Sequence, residues 1–279
     1  MSQRQASGPV FLRDRGDRVL AVVLLAIVGL FVLLVIWGIP QVGHQVTKWV
    51  PPAWERKLGD SALKSVVVGK AETGGVRVGM VEAIVKRLTP DEATWSFRVT
   101  LAPGDTRVNA MALPGGAIVV TQGLLERCST PEELAGVLAH EIVHVQRRHG
   151  LQRMGQELGI QLLLLVLTGG DPSDLWSGAA GLAGLHHSRQ AEDEADKEGL
   201  ALMLKARIDP QGMVRSFRML QKLSAESEAT ALPAFLSDHP AVADRLARIE
   251  AEAARHAGPW EPITLDRPWL NVRFPASRR

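Results

Sequence analysis

The sequence predicts a mainly α domain with one small antiparallel β-sheet, an α+β architecture, standing behind a single N-terminal transmembrane helix. Three observations carry that prediction. Val19 to Ile39 is an unbroken apolar run of 21 residues. Between Trp95 and Thr121, short segments alternate with period two and are separated by Pro-Gly turns, the pattern of strands. From there to about Ile249 the apolar residues recur with helical spacing, apart from glycine-rich and proline-containing connections.

The apolar run is long enough to span about 30 Å of hydrocarbon at roughly 1.5 Å per residue. Trp37 sits near its far end, where an indole suits the headgroup layer. A cleaved signal peptide has a shorter apolar region and a small-x-small cleavage site. The run here is longer, and Gly38 to His44 shows no such site. Residues 1–18 hold Arg4, Arg13, Arg15 and Arg18 against Asp14 and Asp17, which accounts for the whole net charge of +2. This bias predicts a cytoplasmic arm over 1–18, an anchor over 19–39 that contacts the lipid bilayer, and the rest of the chain on the opposite, periplasm-like side. The expected location is a bacterial inner membrane. With the basic excess confined to the arm, residues 19–279 are neutral overall and offer no concentrated basic surface for nucleic acid.

The globular part is expected over 40–258. After the Pro51-Pro52 turn, Ala53 to Val67 reads as an amphipathic helix near the membrane, and Gly69 to Gly75 breaks it. Val78 to Leu88 reads as a second helix, stopped at Thr89-Pro90. Strands follow at Trp95–Leu101, Val108–Leu113 and Ala117–Thr121. Ile160 to Leu167 is too short to cross a bilayer and reads as a buried helix; a patch dipping into the membrane surface is the rival reading. Pro259, Pro262, Pro268 and Pro275 mark an irregular tail over 259–279. There is no internal repeat. The single cysteine, Cys128, excludes an internal disulfide and a cysteine-built metal site.

The chemistry is concentrated in Ser129 to His144. Thr130 and Glu133 form a capping box with Pro131 at the first helical position, so a helix begins here. His140 and His144, four residues apart, share one face of it and can bind one zinc ion, Zn2+. Glu141 projects beside the metal and can take the proton of a bound water whose pKa zinc lowers toward about 7. A charged side chain amid Leu134, Val137, Leu138, Ile142 and Val143 is costly unless paired or coordinated. The metzincin pattern would require glycine and histidine where Arg147 and Gly150 stand, and His149 is off register. Glu192 is the preferred third ligand, since on a helix it shares a small and apolar face with Ala195, Asp196, Gly199 and Met203. Asp196 can orient a ligating histidine through its second ring nitrogen. Asp193 and Glu194 read as solvated.

Thr130 to Val145 followed by Arg148-His149-Gly150, together with Val108 to Leu125, Glu192-x-Glu-Ala-Asp196 and His239-Pro240 with Arg245, resembles the M48 family of zinc metallopeptidases over about residues 54–250. That family includes membrane heat-shock proteases, the CAAX prenyl protease and a mitochondrial inner-membrane quality-control protease. The resemblance implies a zincin domain of the gluzincin type with His140, His144 and Glu192 as zinc ligands and Glu141 as general base. It further implies hydrolysis of peptide bonds in misfolded or membrane-associated proteins. Where family members often carry Ser or Thr before the His-Pro pair, this chain has Asp238. No tyrosine exists to stabilise an oxyanion, which leaves His239 and Arg245 as candidates beside the metal. In the resemblance, a histidine at position 239 can also sit at the metal; otherwise it caps the last helix, with Arg245 in an ion pair. An extended substrate is expected to add as a strand along Met111–Val120, and Asn109 to fix a turn. Oligomers are compatible with an anchored protease. A chaperone-like module that keeps the zinc fold with little proteolysis is the alternative, and a hydrolase of non-peptide substrates a third reading.

Overall fold

The computed structural model describes residues 49–67, 69–157, 188–226 and 242–269, with Gly16, 19–27, Gly29, Leu30, Leu33, Gly38, Thr47, Phe235 and His239. The run at 160–167, most of the arm over 1–18 and the last ten residues lie outside that set. So does much of 19–39; its described residues 19–27 are helical, and among the described residues no helix is long and apolar enough to cross a membrane.

Helix α1 (Pro52–Val66) is followed by α2 (Val76–Leu88), β1 (Arg98–Ala102), β2 (Ala110–Leu113), a 3-10 turn at Pro114–Gly116 and β3 (Ala117–Thr121). Then come α3 (Gln122–Arg127), α4 (Pro131–Gln146), α5 (Arg189–Lys205), α6 (Gln211–Glu226) and α7 (Val242–Ala253). The three strands stand in the order β1-β3-β2. β2 pairs antiparallel with β3, with Met111 opposite Val119, but β1 pairs parallel with β3, with Val99 opposite Ile118. The sheet is therefore mixed, not antiparallel as the period-two pattern suggested. Alternation identifies strands without ordering them. Here the tight Pro-Gly-Gly turn, with Gly115 and Gly116 at φ 75° and 92°, closes a β2-β3 hairpin, and the parallel pairing of β1 with β3 places β3 in the middle. A bridge from Glu72 covers Leu101 on the outer side of β1.

Helix α4 is the axis of the domain. Thr130 caps it by accepting from the Glu133 N–H at 3.3 Å, while Glu133 reaches back to the Ser129 N–H at 2.6 Å. Every residue from Glu133 to Val145 is buried, because α4 has the sheet and α2 on one side and α5 and α6 on the other. Close crossings are made at glycines. A Cβ on Gly136 would stand 2.4 Å from Met213 Cα, and one on Gly199 would stand 3.1 Å from the Ala139 carbonyl carbon. The C-terminal segment lies on this body without regular secondary structure: Arg87 donates to the Pro262 and Glu261 carbonyls, and the Trp269 indole donates to the Cys128 carbonyl.

Candidate metal centre

One turn of α4 separates His140 from His144, and both rings are fully buried with their Nε2 atoms 3.0 Å apart. Helix α5, capped by the Ser188 hydroxyl accepting from the Ala191 N–H, crosses α4 at Gly199 and so delivers Glu192. Its Oε2 is 3.5 Å from His140 Nε2 and its Oε1 3.4 Å from His144 Nε2. His239 arrives from the segment ahead of α7. Its N–H donates to the Phe235 carbonyl, and the Phe235 ring stacks on its imidazole at 4.3 Å between centroids. His239 Nδ1 lies 3.2 Å from His140 Nε2 and 3.0 Å from Glu192 Oε1.

Four buried donor atoms thus lie within 4.8 Å of one another. Donors held tetrahedrally at about 2.0–2.1 Å from zinc stand roughly 3.3 Å apart, close to the 3.0–3.5 Å that separates His140 and Glu192 from the other donors. Three imidazoles and one carboxylate are also the donor chemistry zinc accepts, so the residues fit that ion.

The groups around the cluster orient it. Asp196 Oδ1 is 3.0 Å from His140 Nδ1, which turns Nε2 inward. The Arg245 guanidinium donates through Nε and Nη2 to Asp196, both at 2.7 Å, and its Nη1 meets Glu192. All three nitrogens of the proposed oxyanion donor are therefore engaged by carboxylates behind the cluster. Glu141 Oε2 accepts the Ala112 N–H of β2 at 2.7 Å, and its Oε1 is 3.3 Å from His239 Nε2. Burial alone would raise Glu192, but His239 and His140 hold its carboxyl well below the usual range. Burial would lower His239, yet Glu192 and Glu141 on either side push it up to about 10.

The structure thus brings together His140, Glu141, His144, Glu192, Asp196, His239 and Arg245. The expected substrate edge is narrower than Met111–Val120, because β3 is paired on both sides and, of the strands in that stretch, β2 alone lies at an edge. Asn109 is buried beside that strand, its N–H donating to Thr121 Oγ1. Two residues were missed. His149 is 2.9 Å from His144 through their Nδ1 atoms, and Glu194, read as solvated, is 3.2 Å from His149. Helical register could not reveal this, because α4 ends first: Arg148 takes the left-handed conformation at φ 56° and redirects the chain.

Comparison with known proteins points to a metalloprotease. The chain is 30% identical over 177 residues to the mitochondrial metalloendopeptidase OMA1 of Schizosaccharomyces pombe, covering 61% of this chain and 51% of that protein. It is 37% identical over 134 residues to the Arabidopsis thaliana protein of the same name, covering 48% and 27%. It is 32% identical over 157 residues to the beta-barrel assembly-enhancing protease of Yersinia pestis, covering 50% and 31%. The chain spans about half the length of these relatives or less. The profile of peptidase family M48 matches residues 75–253, the stretch that holds every member of the cluster. The chain belongs to peptidase family M48, a family of zinc metallopeptidases.

Proposed function

We propose that this protein is a membrane-anchored zinc endopeptidase that cleaves misfolded or membrane-associated proteins. The observation that carries the reading is the convergence of four buried donors with Glu141 at their side. His140, His144 and Glu192 would hold the ion, with Asp196 and Arg245 fixing the directions of His140 and Glu192. Zinc bound there supplies a Lewis acid that acidifies water and polarises a peptide carbonyl.

Glu141 is the general base. Its Oε2 is held by the Ala112 amide, which leaves Oε1 as the atom that takes the proton. That amide belongs to the edge of β2, so an extended substrate adding along β2 runs past the same carboxylate. Backbone pairing of this kind is nearly blind to sequence, which suits unfolded chains. His239 completes the donor set through Nδ1 and must swing aside for substrate to enter; once displaced, its imidazole can reach a developing oxyanion. Arg245 positions Glu192 and Asp196 and does not contact the reacting atoms. The anchor at 19–39 and the extracytoplasmic placement rest on the apolar run and the arginine bias of the arm.

The test compares wild-type protein with Glu141→Gln on casein in zinc-replete buffer. Cleavage is expected to fall by at least about 1,000-fold with zinc content unchanged, as for loss of a group essential to activating water. Equal cleavage by both proteins would refute the peptidase reading and favour a zinc-fold binding module.

A further inference from the structure

His149 is 5% exposed and stands outside the four-donor cluster. Its Nδ1 faces Nδ1 of His144 at 2.9 Å, and its Nε2 faces Glu194 Oε2 at 3.2 Å. Arg147 Nε approaches the other Glu194 oxygen at 3.4 Å. Arg148, whose left-handed turn sets His149 in place, is itself fixed by Glu55 at 3.2 Å and by the Thr47 carbonyl at 2.6 Å.

A neutral imidazole carries one N–H and one lone pair. His144 turns Nε2 toward the cluster, and a ligating nitrogen must be bare, so its hydrogen resides on Nδ1. Only a lone pair can face that N–H, so Nδ1 of His149 accepts. The hydrogen of His149 then resides on Nε2, where the carboxylate of Glu194 accepts it. Each link admits one arrangement, and the chain ends on a group that can only accept.

We infer that His149 and Glu194 are positioning residues that lock His144 in the tautomer and ring orientation needed to bind zinc through Nε2. The inference rests on reading the cluster as a zinc site. His140 has the same service from Asp196 directly, whereas His144 has it through an intervening imidazole. The two ligands of the helix are thus aimed by separate carboxylates on the same partner helix, α5.

The test measures zinc affinity of the full-length protein in detergent by competition with a chromophoric chelator, alongside thermal unfolding of the metal-free protein. His149→Leu keeps the bulk and removes the acceptor. It is expected to weaken zinc binding by about 10- to 100-fold with metal-free unfolding unchanged. His149→Gln can accept from His144 and donate to Glu194, and is expected to recover most of that loss. Glu194→Ala, at a half-exposed site, is expected to weaken binding by about tenfold or less. Wild-type affinity in both His149→Leu and Glu194→Ala, or a Gln variant as weak as the Leu variant, would overturn the inference. If wild-type protein itself takes up no zinc, the metal reading fails, a result distinct from failure of the lock.

Discussion

Arg245 shows how much of this site depends on one cation. It is 2% exposed, it lies 5.2 Å above the Phe217 ring, and it faces two buried carboxylates. Removing one partner of a buried ion pair leaves charge uncompensated and costs about 3–5 kcal/mol. Arg245→Ala should therefore lower the unfolding temperature of the metal-free protein by many degrees and release zinc, measured by thermal unfolding and elemental analysis. Arg245→Lys keeps the charge but cannot fork onto Asp196 while reaching Glu192, so an intermediate loss of zinc is expected. At this scale the sequence was legible wherever helical spacing continued unbroken. The face containing Glu192, Ala195, Asp196 and Gly199 could be read from the spacing within α5 alone, and the pairing of His140 with His144 from the spacing within α4. Arg245 was read as an oxyanion donor or as a member of an ion pair, and the sequence could not choose or name the partners, because the three guanidinium nitrogens find theirs 49 residues away or more.

At the scale of elements, the site depends on helices approaching at positions without side chains. A Cβ on Gly136 would collide with the α6 backbone at Met213, which no rotamer change relieves. Gly136→Val is expected to cost about 1–3 kcal/mol or more through overpacking, seen as a lower midpoint in denaturant. Gly199→Ala meets the α4 backbone at 3.1 Å, next to His140. It should shift Glu192 by a few tenths of an ångström and weaken zinc binding more than it lowers stability; a chelator competition beside a denaturation curve separates the two effects. Helix α1 is seated in the same way, since a Cβ on Gly59 would fall 1.9 Å from the Pro114 carbonyl oxygen. Element types were legible from period and caps. Sheet order was not, because a run of alternating residues looks the same beside any neighbour. Only the length of the turn at Pro114–Gly116 and the crossover after β1 decided that β3 would be central.

For the whole molecule, the cluster joins parts of the chain that are far apart in sequence: His140 and His239 are separated by 99 residues. A ligand that binds the folded state alone stabilises it by about 2.7 kcal/mol at a free concentration 100 times its dissociation constant. Zinc bound to α4, α5 and the segment before α7 should act in this way. His140 and Glu192 each stand 3.0–3.5 Å from the other donors, an arrangement suited to a shared cation. Chelation of the full-length protein is therefore expected to lower its unfolding temperature by several degrees. Restoring zinc should reverse the change, whereas magnesium, which demands oxygen ligands in octahedral geometry, should not. Hydrogen exchange would locate the effect: protection should be lost in α5 and around His239, and α2 with the sheet, which carry none of the four donors, should keep theirs. Uniform loss of protection across the domain, or an unfolding temperature indifferent to zinc, would show that the donors do not cross-link these elements through a metal.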